Sequence, residues 1–304
     1  MSATQTYHIP VMLKECIEYL HIHPDGIYVD ATYGGGGHAQ AILQKLSNKG
    51  KLFAFDQDKD AQQNIIPDER LVFIPHNYSY ITQWLNYYNI FKVHGILADL
   101  GVSLHQFQTP QRGFSYRFNQ TLDMRMNQSQ KTTAIDIINT YNQEQLARLF
   151  YQYSNLKNAK KLAHLIIQYR SQQPIQTTAD LIQALKPALP KTNDYPLFSR
   201  IFQAIRIEVN KELEHLKKFL NQTYHLLDHH GSLVILTYHS LEDKIVKHFM
   251  IHGHTDKSIQ PDILYGTKQH PFRILTKKPL TPTDEELKNN PHARSAKLRA
   301  AQKI

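Results

Sequence analysis

The stretch Val29-Asp-Ala-Thr-Tyr-Gly-Gly-Gly-Gly-His38 constrains the fold more than any other part of the chain. Four consecutive glycines open backbone conformations closed to other residues and let a ligand approach the main chain. The run before them, Ile27 to Asp30, reads as a strand, and the run after them, His38 to Leu46, reads as a helix. Further strands are expected at Lys51 to Phe55, Leu71 to Ile74 and His94 to Ala98, with helical stretches between them. That spacing predicts a parallel sheet with right-handed crossovers. Asp30, Asp56 and Asp99 end three of these strands at the carboxyl edge, where open α/β sheets bind ligands.

From residue 106 to 205 the strand signal disappears. The segments 132–141, 142–153, 156–170 and 178–185 read as helices, with Asn142 and Thr178 placed as N-caps. One long helical pattern follows, carrying Phe198, Phe202, Ile205, Val209, Leu213, Leu216 and Leu220 on a single apolar face. After the turn-like Asp228-His-His-Gly231, strand character returns at Leu233 to Tyr238. A lone strand there needs a sheet to join. The chain is therefore read as an α/β domain, 1–105 plus 206–304, carrying an all-helical insertion at 106–205. Two domains in tandem are the alternative.

The 304 residues carry a formal charge of +9, and its distribution is uneven. Residues 1–105 are net −3, 106–205 net +7, 206–267 net −1 and the tail from 268 net +6. Polyanion contact is expected at the helical block and the tail. Cys16 is the only cysteine, which excludes internal disulfides and cysteine-based zinc sites. The stretch Met1 to Pro10 lacks a leader pattern, and no run approaches the ~20 apolar residues of a membrane span. A cytoplasmic protein without a membrane partner is expected.

The loop leaves two cofactor classes open. Gly34-x-Gly36-x-x-Ala39 satisfies the dinucleotide fingerprint, so an NAD-dependent dehydrogenase is a rival reading. NAD would place a pyrophosphate at this helix start, where Asp30 repels it. S-adenosylmethionine carries an ammonium and a sulfonium instead, which a carboxylate favours, and a methyltransferase is the preferred reading. Asp56 is placed to accept hydrogen bonds from vicinal ribose hydroxyls. Tyr78 is either an adenine-stacking ring or an ordinary tyrosine. Asp99 lies beside the expected methyl group or caps the Leu100-Gly101 turn.

Several segments taken in order resemble one family. They are His8-Ile-Pro-Val-Met-Leu13, Asp25-Gly-Ile-Tyr-Val-Asp-Ala-Thr-Tyr-Gly34, Leu97-Ala-Asp-Leu-Gly-Val-Ser103 and Arg112-Gly-Phe-Ser115. Leu122-Asp-Met-Arg-Met126, Arg206-Ile-Glu-Val-Asn210, His239-Ser-Leu-Glu-Asp243 and Asn290-Pro-His-Ala-Arg-Ser295 complete the set. The chain resembles the RsmH (MraW) family of bacterial small-subunit rRNA methyltransferases. The resemblance implies a Rossmann-like sheet and S-adenosylmethionine-dependent N4-methylation of a cytosine in the decoding region of 16S rRNA, either free or within the small ribosomal subunit. It assigns the cofactor site to Gly36, Gly37, His38, Asp56, Tyr78, Asp99 and Gln106, beside Gly34 of the loop. Two departures stand out. Ser103-Leu104-His105-Gln106 lacks one hydroxyl of the family pattern, and Tyr153-Ser-Asn-Leu156 lacks its acidic pair.

A cytosine exocyclic amine is a poor nucleophile because its lone pair is conjugated with the ring, so an acceptor for its hydrogen is needed. No two of the 14 prolines are adjacent, which excludes the Pro-Pro motif common in DNA amino-methyltransferases. Asp99 is the candidate acceptor, or it only orients the cofactor. His239 and Ser240 are candidates for base contact, with Ser240 equally suited to cap the helix 241–250. Asp123 and Arg125 form either a hinge salt bridge or a substrate contact. Lys157, Lys160, Lys161 and Arg170, with Arg294, Lys297 and Arg299 of the tail, are candidates for phosphate contact. The close pair His252 and His254 lacks a third ligand at metal spacing, so no metal site is expected. A catalytically silent RNA-binding assembly factor is the remaining alternative.

Overall fold

The computed structural model describes residues 10–188, 195–256, 258 and 271–304. The leader reading on residues 1–9, the family segment's His8 and Ile9, and tail residues 268–270 lie outside these described residues. The chain divides into two compact units, one formed by 1–101 with 213–304 and the other by 102–212.

The first unit is built on a seven-stranded sheet. Its strands are β1 (Ile27–Asp30), β2 (Lys51–Phe55), β3 (Leu71–Ile74), β4 (Val93–Asp99), β5 (Leu227–Thr237), β6 (Phe272–Ile274) and β7 (Lys297–Lys303). Their order is β3-β2-β1-β4-β5-β7-β6. β1 to β5 run parallel, while β7 runs antiparallel to both of its neighbours. This is the expected Rossmann-like α/β sheet. Successive side chains alternate between its two faces. Val29, Phe53, Phe55, Ile96, Leu233 and Ile235 enter one core with Phe219 and Phe249, whereas Tyr28, Leu52, Leu97, Val234 and Leu236 enter another with Cys16 and Ile42. The second core is covered by α1 (Leu13–Leu20) and α2 (Gly37–Leu43). The first is covered by α3 (Ile81–Tyr87).

The second unit is helical: α4 (Leu104–Gln108), α5 (Ala134–Thr140), α6 (Gln143–Ser154), α7 (Ala159–Arg170), α8 (Thr178–Leu185) and α9 (Tyr195–Asn210). Its core gathers Leu146, Phe150, Leu162, Ile166, Leu181, Ile201 and Ile205. Asn142 caps α6 as expected, with a reciprocal capping box to Gln145. The cap of α8 is Thr177 instead of Thr178, which is buried as the first helical residue.

Three further expectations change. The long helix of 198–220 is two helices, because Lys211 adopts a left-handed φ of 47° between α9 and α10 (Glu212–Leu226). Its apolar stripe consequently serves two cores: Phe202 and Ile205 pack in the helical unit, Leu216 and Leu220 in the sheet unit. The segment Asp228 to Gly231 lies within β5, where the register against β4 slips between Val93 and Gly95. The basic tail, read as a region of polyanion contact, supplies β6 and β7; Leu298, Ala300 and Ala301 are buried in the sheet. Small alanines beside lysines hid that strand from a hydrophobicity pattern. Remaining helices of the sheet unit are α11 (Ser240–His252) and α12 (Asp284–Asn289). Among the described residues, no helix is long and apolar enough to cross a membrane.

Candidate active site

The carboxyl ends of β1, β2 and β4 bring Asp30, Asp56 and Asp99 to one edge of the sheet. Thr32 ties the first and third of them together. Its N–H donates to Asp30 Oδ1 at 3.1 Å, and its Oγ1 accepts the Asp99 N–H at 2.6 Å. The glycine loop closes on the second acid, with the Gly34 N–H donating to Asp56 Oδ2 at 2.8 Å. Asp56 Oδ1 accepts the Asp58 N–H at 2.8 Å. Each oxygen of a carboxylate has two lone-pair sites, so this group can serve the loop and a ligand together.

Two glycines explain the loop's composition. Gly34 has φ 53°, and a methyl group on it would meet nothing within 4 Å. Gly36 has φ 77°, and a methyl group there would sit 2.7 Å from the Tyr33 hydroxyl. The first leaves open space beside the main chain, and the second is required by packing. Gly37 begins α2, against Pro10. His38 is buried with its ring Nε2 3.1 Å from the Val11 carbonyl oxygen.

Asp30 is the unusual member of the group. It is 1% exposed, and its Oδ2 is buried without a hydrogen-bond partner. Burial pushes its carboxyl up to about 7; the Thr32 N–H opposes this, while the charges of Asp99 and Asp56 add to it. Burial likewise pushes the half-buried Asp99 up to about 7, against the hydrogen bond from Tyr238. Tyr238 Oη donates to Asp99 Oδ1 at 2.7 Å. Two carboxyls held near neutrality, one with an orphaned oxygen, make a site that a cation would complete. The ammonium and sulfonium of S-adenosylmethionine fit this donor set, and a pyrophosphate does not. Tyr238 was missed in the sequence, where its only signal is a position immediately after β5.

Other expected residues fall as follows. Tyr78 lies in the turn after β3, its ring edge-on to Phe219 at 5.0 Å between centroids. His239, and not Ser240, caps α11: its Nδ1 accepts the Glu242 N–H at 3.4 Å, and Glu242 Oε2 accepts the Tyr238 and His239 N–H groups. The imidazole completes a reciprocal box that pattern reasoning assigned to the hydroxyl. Ser240 is exposed in the first helical turn, and Arg294 is exposed in the short helical turn Pro291–Ser295.

In the helical unit, Gln106 closes a capping box with Ser103 at the start of α4, its Oε1 accepting the Ser103 N–H at 3.1 Å. Asp123 and Arg125 pair with each other, Nε to Oδ1 at 2.8 Å and Nη2 to Oδ2 at 2.7 Å. Arg125 Nη1 also donates to the carbonyls of Gln128 and Gln130, so this guanidinium braces its own loop. Buried Asn210 accepts the Met126 N–H at 2.7 Å and donates to the Met124 carbonyl at 2.8 Å. Arg112 donates to the carbonyls of Arg125 and Met126. The three motifs around 112, 124 and 210 thus converge on one turn.

The basic residues divide. Lys157, Lys160 and Lys161 are exposed, whereas Arg170 is half-buried and donates to the Ile138 carbonyl. Arg299, expected at the surface, is buried and pairs with Asp243 at 2.6 and 3.1 Å. It belongs to the sheet, because β7 carries it inward.

The sequence profile of the MraW methylase family matches residues 5–304. A relative from Christiangramia forsetii, named ribosomal RNA small subunit methyltransferase H, is 48% identical over the full length of both chains. One of the same name from Flavobacterium johnsoniae is 47% identical, also over all of both chains. A third, from Bacteroides thetaiotaomicron, is 46% identical over 98% of each.

Proposed function

Since the chain belongs to the MraW methylase family, we propose that it methylates N4 of a cytosine in the decoding region of 16S rRNA. S-adenosylmethionine is the cofactor and supplies a methyl group on an already activated sulfonium. Membership of a methylase family sets aside the dehydrogenase reading. The observation that carries the proposal is the buried, half-partnered Asp30 beside Asp56 and Asp99 at the mouth of the glycine loop.

The chain's own residues then divide the work. Asp30 and its neighbours hold positive charge, and Asp56 offers its carboxylate oxygens to ribose hydroxyls. Gly34, Gly36, Gly37 and His38 form the loop against which the ligand lies, with Tyr78 completing the sheet unit's cofactor residues. Asp99 accepts a hydrogen from the N4 amine, making the nitrogen lone pair more available; a carboxyl held near pH 7 is suited to that exchange. Alignment and exclusion of water supply most of the remaining acceleration. His239 and Ser240 serve the unstacked base, and in the helical unit the Asp123–Arg125 pair shapes its own loop for the RNA. The helical unit is the RNA-substrate domain, with Lys157, Lys160 and Lys161 on phosphates, and Arg294 serves the same end from the sheet unit. The substrate is the rRNA of the small ribosomal subunit.

Mass mapping of methylated cytosine in small-subunit rRNA, from cells with and without this protein, tests the reading. Loss of one N4-methyl mark is expected, and an unchanged pattern would sink it.

A further inference from the structure

Three histidines converge where α11 ends, one more than the sequence spacing suggested. His248 and His252 stand one helical turn apart, with ring centroids 4.4 Å apart. Gly253 terminates the helix with φ 78°, its N–H bonding to the Phe249 carbonyl at 2.7 Å. The reversed chain carries His254 back over the helix end, 5.6 Å from His248 and 6.0 Å from His252 between centroids. The Thr255 N–H donates to Asn221 Oδ1 at 3.0 Å, which fixes this return to α10.

We propose that His248, His252 and His254 form a divalent transition-metal site, selective for ions that prefer imidazole and suited to Zn²⁺. With metal–nitrogen bonds of about 2.0–2.1 Å, imidazoles sharing one ion have ring centroids about 4.5–5.3 Å apart. The 4.4 Å separation lies at its lower edge, while 5.6 and 6.0 Å lie above it. An i, i+4 histidine pair on a helix is already a chelating arrangement, and the third ring makes it tridentate. His254 Nδ1 is buried without a hydrogen-bond partner, and in the Nε2–H tautomer it holds a desolvated lone pair that metal coordination would satisfy. Asp256 stands two residues further on, its Oδ1 accepting the Ser258 N–H at 2.8 Å and the Ser258 hydroxyl at 2.7 Å. The rings meet at interplanar angles of 36°, 72° and 38°, so coordination requires side-chain rotation. His252 is exposed and free to make it. No thiolate competes, because the one cysteine, Cys16, is buried elsewhere in the core. None of the three histidines belongs to the proposed methyl-transfer site, so the two readings stand or fall separately.

The test is calorimetric titration of the full-length, tag-free, chelator-stripped protein with ZnCl₂, beside His252→Gln and His254→Gln. One saturable equivalent is expected, weakened at least ~10-fold in each variant, with Zn²⁺ raising the melting temperature of the parent but not of the variants. Cofactor binding should be equal in all three proteins. Because His252 is exposed, its variant should fold normally, and equal melting temperatures without metal would establish this. Absence of saturable uptake overturns the proposal. So does uptake that survives both substitutions, since the ion would then sit on others of the 18 histidines.

Discussion

Tyr238 donates its hydroxyl hydrogen to Asp99 Oδ1 at 2.7 Å, joining the residue after β5 to the last residue of β4. The bond favours the ionised carboxylate and so opposes the upward push of burial on Asp99. Tyr238 is a positioning residue in this scheme, acting on the cytosine only through Asp99.

Removing that donor should move a pH profile. In Tyr238→Phe, Asp99 loses its stabilising hydrogen bond and ionises at higher pH. The acidic limb of single-turnover methylation should shift upward by about one unit, a hydrogen bond to a charged group being worth about 1.5–3 kcal/mol. The alkaline plateau should survive. Asp99→Asn should instead lower the rate about 100-fold or more at every pH. Rapid-quench measurements with saturating cofactor distinguish the two, and an unmoved limb in Tyr238→Phe would remove the pair from proton transfer.

Asp30 links the site to stability with an unusual sign. Its folded carboxyl titrates at about 7, against about 3.9 for an unfolded aspartate. The native state therefore binds the proton more tightly. This contribution is full below about pH 4 and is lost as pH rises through about 7. At about pH 8 the cofactor-free protein holds a buried, half-partnered anion. Asp30→Asn should then be more stable to urea than the parent by about 1–3 kcal/mol, and the difference should vanish near pH 4. A variant less stable at pH 8 would show that the anion is satisfied in the folded protein.

The same residue should make cofactor binding a proton-releasing event. Near pH 7 a fraction of Asp30 is protonated, and a cation beside it favours ionisation. Calorimetry in buffers of different ionisation enthalpy should find a fraction of a proton released per S-adenosylmethionine bound. Asp30→Asn should release less and bind more weakly. Equal release by both proteins would place the titration elsewhere, with Asp99 the first alternative.

Much of this geometry was legible because strands β1 to β4 announce themselves with short Val, Ile, Leu and Phe runs, each ended by a polar residue or a proline. Asp30, Asp56 and Asp99 could be placed on one edge from that punctuation alone. The hidden parts share a different cause. β7 buries Ala300 and Ala301 between Arg299 and Gln302, leaving no hydrophobic alternation to read. Lys211 breaks one apolar stripe into two helices by a single left-handed residue, at no cost to the periodicity. His248 stands within the core-forming pattern of α11, and only the turn at Gly253 brings it against His254. Tertiary returns of this kind have no local signature.

Asn210 concentrates the helical unit's motifs on one side chain. It accepts the Met126 N–H and donates to the carbonyls of Met124 and Arg206. Met124 itself holds a left-handed φ of 61°, a conformation that needs outside support. Asn210→Ala removes three hydrogen bonds to the backbone and should destabilise the protein by about 2–4 kcal/mol. Hydrogen exchange should localise the loss to 122–130. Protection there equal to the parent would mean that the Asp123–Arg125 pair alone holds the turn.

Arg299 and the lysines of α7 should separate structural from RNA-binding charge. Arg299 is buried against Asp243, so Arg299→Ala leaves a carboxylate unpaired and should destabilise the fold by about 3–5 kcal/mol. Its effect on the salt dependence of RNA binding should be nil, because a paired, buried guanidinium releases no counterion. Lys160 lies within α7 and Lys157 just before it, both exposed; with Lys161 changed to Gln alongside them, melting should be unaltered. The slope of log affinity against log salt should fall by about 2–3, close to one for each phosphate that the lysines no longer neutralise. Filter binding of a small-subunit rRNA fragment across a salt series measures both. A slope reduced by the arginine substitution but not by the lysine substitutions would reverse this assignment and place the RNA against the sheet's tail.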